Sequence, residues 1–307
     1  MDINEELLYH FEKGLNPQNL GGSLVPATIL GFGEISAIFQ IADYTDLAFK
    51  RMPLFSDRAS AETYISKYIK YCQLLIEAGL KLPEHGTCII QITDRPVSVY
   101  IVQRQFPIAR FSHKLIHTLD RKDTHPLLER IVSETEKVWH FNHSRRPSIE
   151  LALDGQISNW VWLEGATGPQ MIYVDTSTPL HRIEGQEQLD PELFLQSAPS
   201  FLRWIIRWLF LSDVMNRYYN PRSVYIDLTA NLYKEQRPDL VPETIQIINR
   251  YITDDLRPLS VKEVKNYYKE DKIIWTVFLA FRRLDCWIST KFLRRRYEFI
   301  LPGKIKR

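Results

Sequence analysis

The chain has 307 residues, and its proportions of 45% hydrophobic and 25% charged residues are ordinary for a folded globular protein, which excludes extensive disorder. A chain of this length exceeds what one hydrophobic core usually organises, so two lobes or domains are expected. The formal net charge is +2, but it is unevenly distributed, because Val261 to Arg307 carries 13 Lys and Arg against 5 Asp and Glu.

This basic C-terminal region has two interpretations. A solvated helix face with a basic tail accounts for the charge, and it is the interpretation we favour from the sequence. The alternative is an anionic partner, such as a phosphate-bearing substrate or a lipid headgroup. Nucleic acid is not expected as a partner.

Cysteine usage and hydropathy indicate the compartment. Cys72, Cys88 and Cys286 are far apart in the sequence and form no paired motif, which favours reduced thiols and a cytoplasmic location. The apolar runs Phe201 to Leu211 and Ile273 to Phe281 are shorter than the ~20 residues that a transmembrane helix requires. We therefore expect no transmembrane segment, and the acidic start of the chain predicts no signal peptide.

The first elements in chain order are a short amphipathic helix over residues 5–13 and two β-rich stretches between Thr28 and Ile41. Gly31 and Gly33 separate the two stretches. A glycine turn between strands allows backbone amides to approach a polyphosphate, because no side chain blocks them. An ordinary hairpin turn explains the same two glycines.

The next strand, Leu47 to Lys50, places a lysine within an apolar run, where its ammonium requires an anionic partner. Arg51 follows it and is expected to point to the opposite face of the strand, toward solvent. Ser60 to Gly79 then has a helical pattern, and its apolar face is predicted to contain Ile65, Tyr68, Ile69, Cys72, Leu75 and Ile76.

Glu62 lies one turn before Ile65 on that predicted face, so it could reach Lys50, and Glu77 is the second candidate partner. The alternative for Glu62 is a first-turn helix charge that the helix dipole favours. Two further strands, Cys88 to Thr93 and Ser98 to Phe106, follow this helix, and from Pro107 onward the patterns are mostly helical. Helices are predicted over residues 127–143, from Pro191 onward and over residues 201–219.

A predicted hairpin interrupts the helical part of the chain. Its strands are Trp160 to Leu163 and Met171 to Val174, and antiparallel pairing brings Asn159 and Asp175 to one end of it, with Asp154 just before. Buried carboxylates need a partner, and Mg²⁺ binds carboxylate and amide oxygens. A surface hairpin whose Asp and Asn side chains cap turns is the alternative.

These motifs, in this order, resemble the protein-kinase-like superfamily, most closely its small-molecule branch of aminoglycoside and choline phosphotransferases. Gly31 begins a G-x-G-x-x-S-x-I pattern, in which Ser36 takes the place of the third glycine of the family's loop. The strand ending at Lys50 is similar to V-A-I-K. Asp154, with Asn159 five residues later and Asp175 after the hairpin, is similar to the family's catalytic and metal-binding segments.

The resemblance implies a two-lobed α+β fold with Mg²⁺ and ATP in the cleft between a β-rich nucleotide-binding lobe (residues 1–105) and a helical lobe (residues 106–307). By resemblance, Asp154 is the catalytic base that orients the acceptor hydroxyl, and Asn159 and Asp175 hold the metal. The nucleotide contacts that it implies are Gly31, Gly33, Ser36, Lys50, Glu62 and the backbone from Gln103 to Gln105.

The implied function is an ATP-dependent phosphotransferase acting on a hydroxyl of a small molecule, because the segment after Asp175 is too short for the activation loop of protein kinases. Two segments depart from the family pattern. Ala152 and Leu153 stand where the family has His followed by Arg or Gly, and Thr176-Ser177 stands where it has Phe-Gly or a second acidic residue. The alternatives are therefore a pseudokinase that serves as a nucleotide-binding scaffold, and AMP transfer on the same fold.

Overall fold

The computed structural model describes residues 1, 3–33, 35–165, 168–190, 192–196, 211–252 and 256–303. The N-terminal part is built on a five-stranded antiparallel sheet with the order β1-β2-β3-β5-β4. Its strands are β1 (Ala27–Phe32), β2 (Ala37–Ile41), β3 (Leu47–Phe55), β4 (His85–Ile90) and β5 (Val97–Arg104).

Each face of this sheet is covered by one helix. The helix α1 (Glu5–Gly14) packs Leu8 and Phe11 against one face. The helix α2 (Arg58–Glu77) covers the other face, and its buried residues join the main core of the molecule. Because side chains alternate along a strand, β3 contributes to both cores, and its whole second half is buried.

The rest of the chain is mostly helical. Its helices are α3 (Ser112–Thr118), α4 (Arg121–Arg145), α5 (Glu192–Gln196), α6 (Leu211–Tyr218), α7 (Pro221–Lys234), α8 (Val241–Tyr251) and α9 (Val261–Trp287), which continues into a π-helical turn, Ile288–Phe292. The helix α7 packs against both α8 and α9, and α4 packs against α8.

Two small sheets lie within this helical part. One pairs β6 (Ile149–Leu151), β9 (His181–Ile183) and β10 (Gln186–Glu187), and the other is the hairpin of β7 (Trp160–Gly165) and β8 (Gly168–Tyr173). Asn142 near the end of α4 ties β6 in place, because its side-chain amide donates to and accepts from the backbone of Leu151, both at 2.7 Å.

The predicted α+β fold, a small β-rich lobe followed by a larger helical lobe, is confirmed. The helices predicted near the N-terminus, over residues 60–79 and over residues 127–143 are present. The helix predicted from Pro191 onward is present over the described residues Glu192–Gln196. The helix predicted over residues 201–219 is described only from Leu211, and it is present there as Leu211–Tyr218. The boundary between residues 105 and 106 stays a prediction. Within the described ranges, no helix is both long and apolar enough to cross a membrane.

Arg51 corrects one expectation. It points to the opposite face of β3 from Lys50, as alternation requires, but it is only 2% exposed. Its guanidinium donates to both carboxylate oxygens of Glu12 on α1 at 2.6 Å, and to the Glu298 carboxylate at 2.9 Å. The prediction that Arg51 faces solvent is wrong, because α1 and the C-terminal segment cover that face of the sheet.

This ion pair joins three distant parts of the chain. Burial raises the pKa of Glu12, but the Arg51 guanidinium and the hydroxyl of Tyr100 hold it below its ordinary value, so Glu12 stays ionised. The hydroxyl of Tyr100 also donates to Glu12, at 2.5 Å. A buried carboxylate with this many donors depends on each of them.

We expect Arg51→Met to lower the free energy of unfolding by about 3 to 5 kcal/mol, because Glu12 would be left as an unpaired buried charge. Urea unfolding measures the change. The control is Arg58→Met, which breaks an exposed pair with Glu62 and should cost at most about 1 kcal/mol. Similar small losses in both variants would contradict the account of the buried pair.

Candidate active site between the sheet and the helical lobe

Lys50 joins the two lobes. Its ammonium lies 3.0 Å from the Asp175 carboxylate and 3.2 Å from the Ser177 hydroxyl, although Asp175 follows it by 125 residues. The Lys50 side chain is 7% exposed and that of Asp175 is 30% exposed. The predicted convergence of a strand lysine and a hairpin aspartate is therefore present.

The electrostatics of Asp175 favour the carboxylate. Burial by itself would raise the pKa of Asp175, but the Lys50 ammonium and the hydrogen bond from the Ser177 hydroxyl hold it below its ordinary value. The group is thus a carboxylate at neutral pH, and its partly exposed side chain allows an oxygen to meet a cation.

Asn159 lies beside Asp175 at the end of the hairpin. Trp160 pairs with Tyr173 in the β-ladder, and the N–H of Val174 donates to the carbonyl of Asn159 at 3.0 Å. The predicted hairpin is confirmed, and its register brings the residues that precede β7 and follow β8 to one end.

Asp154 is linked to the same end of the hairpin. The side-chain amide of Asn159 donates to the Asp154 carbonyl at 3.1 Å, and the Gln156 N–H donates to the Asp154 carboxylate at 3.0 Å. The Asp154 N–H donates in turn to the hydroxyl of Tyr173. Asp154, Asn159 and Asp175 therefore lie together, as the sequence predicts.

The loop that carries Asp154 is held against α7. A Cβ atom on Gly155 would lie 2.8 Å from Cγ1 of Val224, which is closer than side chains approach, so this glycine permits the contact. The indole of Trp160 donates to the Gly155 carbonyl at 3.4 Å. Packing on both sides fixes the backbone of the loop.

Three tyrosines of α2 contact the predicted catalytic segments, a feature that the sequence reasoning missed. The hydroxyl of Tyr64 donates to the Ser177 carbonyl at 2.6 Å, and that of Tyr71 donates to the Ala152 carbonyl at 2.8 Å. The hydroxyl of Tyr68 accepts from Thr176. Ala152 and Thr176-Ser177, which belong to the two segments that depart from the family pattern, are thus the positions that α2 holds.

Glu62 does not reach Lys50. Its side chain is 57% exposed and its carboxylate accepts a hydrogen bond from Arg58 at 2.9 Å, one turn earlier on α2. Glu77, the second candidate, is also exposed. The predicted pairing of Lys50 with a glutamate of this helix is wrong in this structure, because Asp175 and Ser177 take that place.

The cause is the rotation of α2 about its axis. The helix buries a stripe that contains Ala61 and the three tyrosines, whereas Ile69 and Ile76 of the predicted apolar face are 45% and 55% exposed. Glu62 lies off the buried stripe. Both sides of the helix carry apolar residues, so periodicity alone could not choose between them; the pairs Tyr64/Tyr68 and Tyr68/Tyr71, four and three residues apart, were the available signal.

The glycine turn connects β1 and β2 as predicted. The Gly33 N–H donates to the Ser36 carbonyl at 3.0 Å, and a Cβ atom on Gly33 would meet Oγ of Ser36 at 2.5 Å. Glycine at position 33 thus lets the Ser36 hydroxyl lie close to the backbone of the turn, and the turn uses the Gly33 N–H. A Cβ atom on Gly31 would make an ordinary contact, at 3.6 Å from Ile38, so internal packing does not explain that glycine.

The strand end predicted to contact adenine lies at the junction between the two parts of the chain. The side-chain amide of Gln103 donates to the Thr176 hydroxyl at 3.0 Å, which connects β5 to the segment after Asp175. The Gln105 N–H donates to the carbonyl of Asp46 at 2.7 Å. That N–H is engaged within the protein, so a base contact at Gln105 would have to use its carbonyl.

The donor set at the end of the hairpin suits a hard divalent cation. Asp175 offers a carboxylate oxygen, and Asn159 donates through its amide nitrogen, which leaves the amide oxygen as the cation ligand. In the described part of the chain, no group of three His, Cys, Asp or Glu side chains is arranged to hold a metal. A cation here would therefore take the amide oxygen and non-protein oxygens, as Mg²⁺ commonly does.

One family model matches residues 26–286, which runs from the start of the sheet to the end of α9. The chain belongs to the DUF6206 family. That family is described as a family of unknown function. No curated protein matches this DUF6206 chain.

Several solved structures are similar to the DUF6206 chain. WaaP in complex with acyl carrier protein has 10% identity and a TM-score of 0.33, over 73% of this chain and 89% of that one. A mutant PknI kinase domain of Mycobacterium tuberculosis has 13% identity and a TM-score of 0.36, over 81% and 94%. The GDP and kanamycin complex of APH(2")-IIia has 11% identity and a TM-score of 0.35, over 80% and 96%.

The TM-scores of these three structures are all below 0.5, and no statement about this chain depends on them. The assignment of the site depends on the contacts of Lys50, Asp154, Asn159 and Asp175.

A double-mutant cycle tests which acid is paired with Lys50. We expect Lys50→Met and Asp175→Asn to show a coupling of about 1 to 2 kcal/mol in urea unfolding, because each residue compensates the charge of the other. The matched control cycle combines Lys50→Met with Glu62→Gln and should show no coupling. Coupling to Glu62 in place of Asp175 would contradict the assignment.

Proposed function

We propose that this DUF6206 chain transfers a phosphoryl group from Mg²⁺-bound ATP to a hydroxyl of a small molecule. The observation that carries the proposal is the convergence of Lys50 with Asp154, Asn159 and Asp175 at the junction of the sheet and the helical lobe. Phosphoryl transfer requires mainly positioning and charge neutralisation, and these four side chains supply the types of group for both.

Asp154 would orient the acceptor hydroxyl. The Gln156 N–H fixes one of its carboxylate oxygens, and the hydroxyl of Tyr173 fixes its backbone, so the carboxylate is held in one orientation. A carboxylate held in this way can accept the proton of an attacking hydroxyl.

Asp175 and Asn159 would hold the metal ion, which when bound would neutralise charge on the phosphates. Lys50 would contribute the second positive charge to the phosphates. In the described structure its ammonium is occupied by Asp175 and Ser177, so nucleotide binding would exchange one of these contacts for a phosphate oxygen. Gly31 and Gly33, together with Ser36, would face the phosphates, and Gly31 is the position whose missing side chain has no internal explanation.

The acceptor is proposed to be a small molecule because the segment from Asp175 to β9 is short. Asp175 and His181, the first residue of β9, are separated by five residues, and Ser177 in this segment is held by Tyr64. A segment of this length leaves no activation loop that could present a protein substrate. The basic C-terminal region makes a strongly cationic acceptor less suitable.

A nucleotide-binding pseudokinase is the second candidate, and two observations favour it. Lys50 pairs with Asp175 and not with an acid of α2, and Ala152 stands where the family has its catalytic-loop His. A chain that binds Mg²⁺-ATP without turnover would use the same residues for binding. AMP transfer on the same fold would consume ATP with a different product.

Thermal unfolding with Mg²⁺-ATP tests the proposal. At ~100 times its dissociation constant, the ligand should add ~2.7 kcal/mol to the free energy of unfolding of the wild type. Asp175→Asn should abolish this gain because the metal loses its carboxylate ligand. Asp154→Asn should keep the gain and lose ATP turnover in the presence of a small-metabolite extract.

The outcomes separate the candidates. If a metabolite gains phosphate with the wild type but not with Asp154→Asn, the result supports phosphoryl transfer. If a metabolite gains AMP, the result supports nucleotidyl transfer. A nucleotide-dependent gain in stability without turnover in any extract supports the pseudokinase. Glu62→Gln is the matched control, since it removes an exposed acid near the same strand and should change neither result. No gain with any nucleotide would contradict all three candidates.

A further inference from the structure

The outward side of α9 carries an apolar stripe. Ile273, Val277, Ala280, Leu284 and Trp287 follow each other at alternating steps of four and three residues, and all five are exposed. Ile273 is 64% and Trp287 is 59% exposed. At about 100° per residue these positions share one side of the helix, and at about 1.5 Å per residue the stripe is about 21 Å long.

The opposite side of α9 is the packed one. Val264 and Arg282 are buried there, and the guanidinium of Arg282 lies over the rings of Phe278 and Phe299. The C-terminal segment that includes Phe299 thus packs against the buried side of α9. An amphipathic surface helix normally turns its polar side to solvent, so an exposed apolar stripe on the outer side indicates a partner.

Basic residues flank the stripe. Lys269 precedes Ile273 by one turn, Arg283 lies beside the stripe, and Lys291 follows Trp287 by four residues, and all three are exposed. Between residues 269 and 296, all of which the structure describes, Glu270 is the one exposed acidic side chain.

The stripe leads directly into a basic cavity. After the π-helical turn, Arg294 adopts a left-handed backbone conformation (φ 52°) and the chain turns back. A cavity of about 570 Å³ lies at this turn, and its lining residues are Asn16, Gln18, Thr290, Lys291, Arg294, Arg295 and Arg296.

Three of the four cations in this cavity have no ion-pair partner among the described residues. Arg296 donates to the Glu298 carboxylate at 2.7 Å. In the described residues, no ion pair involves Lys291, Arg294 or Arg295. Phe292 and Leu293, exposed by 77% and 46%, lie between these cations in the sequence. Two apolar side chains thus lie between the cations at the end of the stripe.

We infer that the outer side of α9 and the basic cavity at its end form a binding site for the surface of an anionic membrane. The apolar stripe with Trp287, Phe292 and Leu293 enters the interfacial layer, and Lys291, Arg294 and Arg295 contact phosphate groups of the lipids. Apolar and aromatic residues on one side of a helix with Lys and Arg beside them are the features of helices that lie in the membrane interface.

A second copy of the chain fits this surface less well. Two stripes facing each other would bring rows of Lys and Arg together without opposing acids, which is unfavourable. Even with Ile274 beside it, which is 57% exposed, a stripe about 21 Å long offers little of the ~800 Å² per partner that stable interfaces bury. A lipid surface supplies negative charge and an apolar layer together.

Vesicle binding by the full chain tests the inference. We expect co-sedimentation with phosphatidylcholine vesicles that contain about 30% phosphatidylglycerol, and loss of binding to vesicles of phosphatidylcholine alone. Leu284→Gln with Trp287→Gln should weaken binding to the anionic vesicles at least tenfold. Lys291→Glu with Arg295→Glu should weaken it by at least about fivefold per residue.

The control is Ile69→Gln with Ile76→Gln, because these α2 residues are exposed to a similar extent as Leu284 and Trp287. This variant should bind as the wild type does. No binding of the wild type to anionic vesicles would overturn the inference. Equal loss of vesicle binding in the two glutamine variants would also overturn it. So would a soluble dimer of the wild type that the variant Leu284→Gln with Trp287→Gln dissociates. The same holds if the cavity binds inorganic phosphate and the stripe variant binds vesicles as the wild type does.

Discussion

The contact between Lys50 and Asp175 is the constraint on which the arrangement of the two lobes depends. Neither charge is stable alone in a largely buried position, and each is supplied by a different lobe. The pair therefore fixes how the edge of the helical lobe meets the sheet. Because the hairpin register then determines where Asn159 and Asp154 lie, one ion pair organises all four candidate site residues.

The helix α2 makes further hydrogen bonds to the segments that carry Asp154 and Asp175. Its tyrosines donate to or accept from backbone and hydroxyl groups at Ala152, Thr176 and Ser177, which belong to the two segments that depart from the family pattern. A helix acid is thus not needed to position Lys50, since Asp175 and Ser177 do so. The lysine is thereby occupied, so nucleotide binding requires the exchange of one of these contacts for a phosphate oxygen. ATP turnover after binding separates an enzyme from a nucleotide-binding scaffold.

Sequence reasoning predicted the features that local patterns determine. Alternating apolar residues around glycines predicted the sheet, and two short strands around a turn predicted the hairpin and its charged end. It did not predict which side of a strand or helix is buried when residues distant in the sequence cover it, or when both sides carry apolar residues. Arg51 is buried because α1 and Glu298, distant in sequence, cover it, and α2 was assigned the wrong rotation because apolar residues occur on both of its sides. The exposed stripe of α9 was missed for the same reason, since the central run of this helix, Ile273 to Phe281, has apolar residues on all sides.

The central claim is that Asp175 and Asn159 hold a metal ion next to Lys50. Crystals of the full chain grown with Mn²⁺ and a non-hydrolysable ATP analogue would locate the ion by its anomalous scattering. We predict a peak at about 2.1 Å from oxygens of both Asp175 and Asn159, with the ammonium of Lys50 on a phosphate oxygen. A peak elsewhere, or a bound nucleotide that leaves Lys50 paired with Asp175 and no metal beside Asn159, would contradict the account.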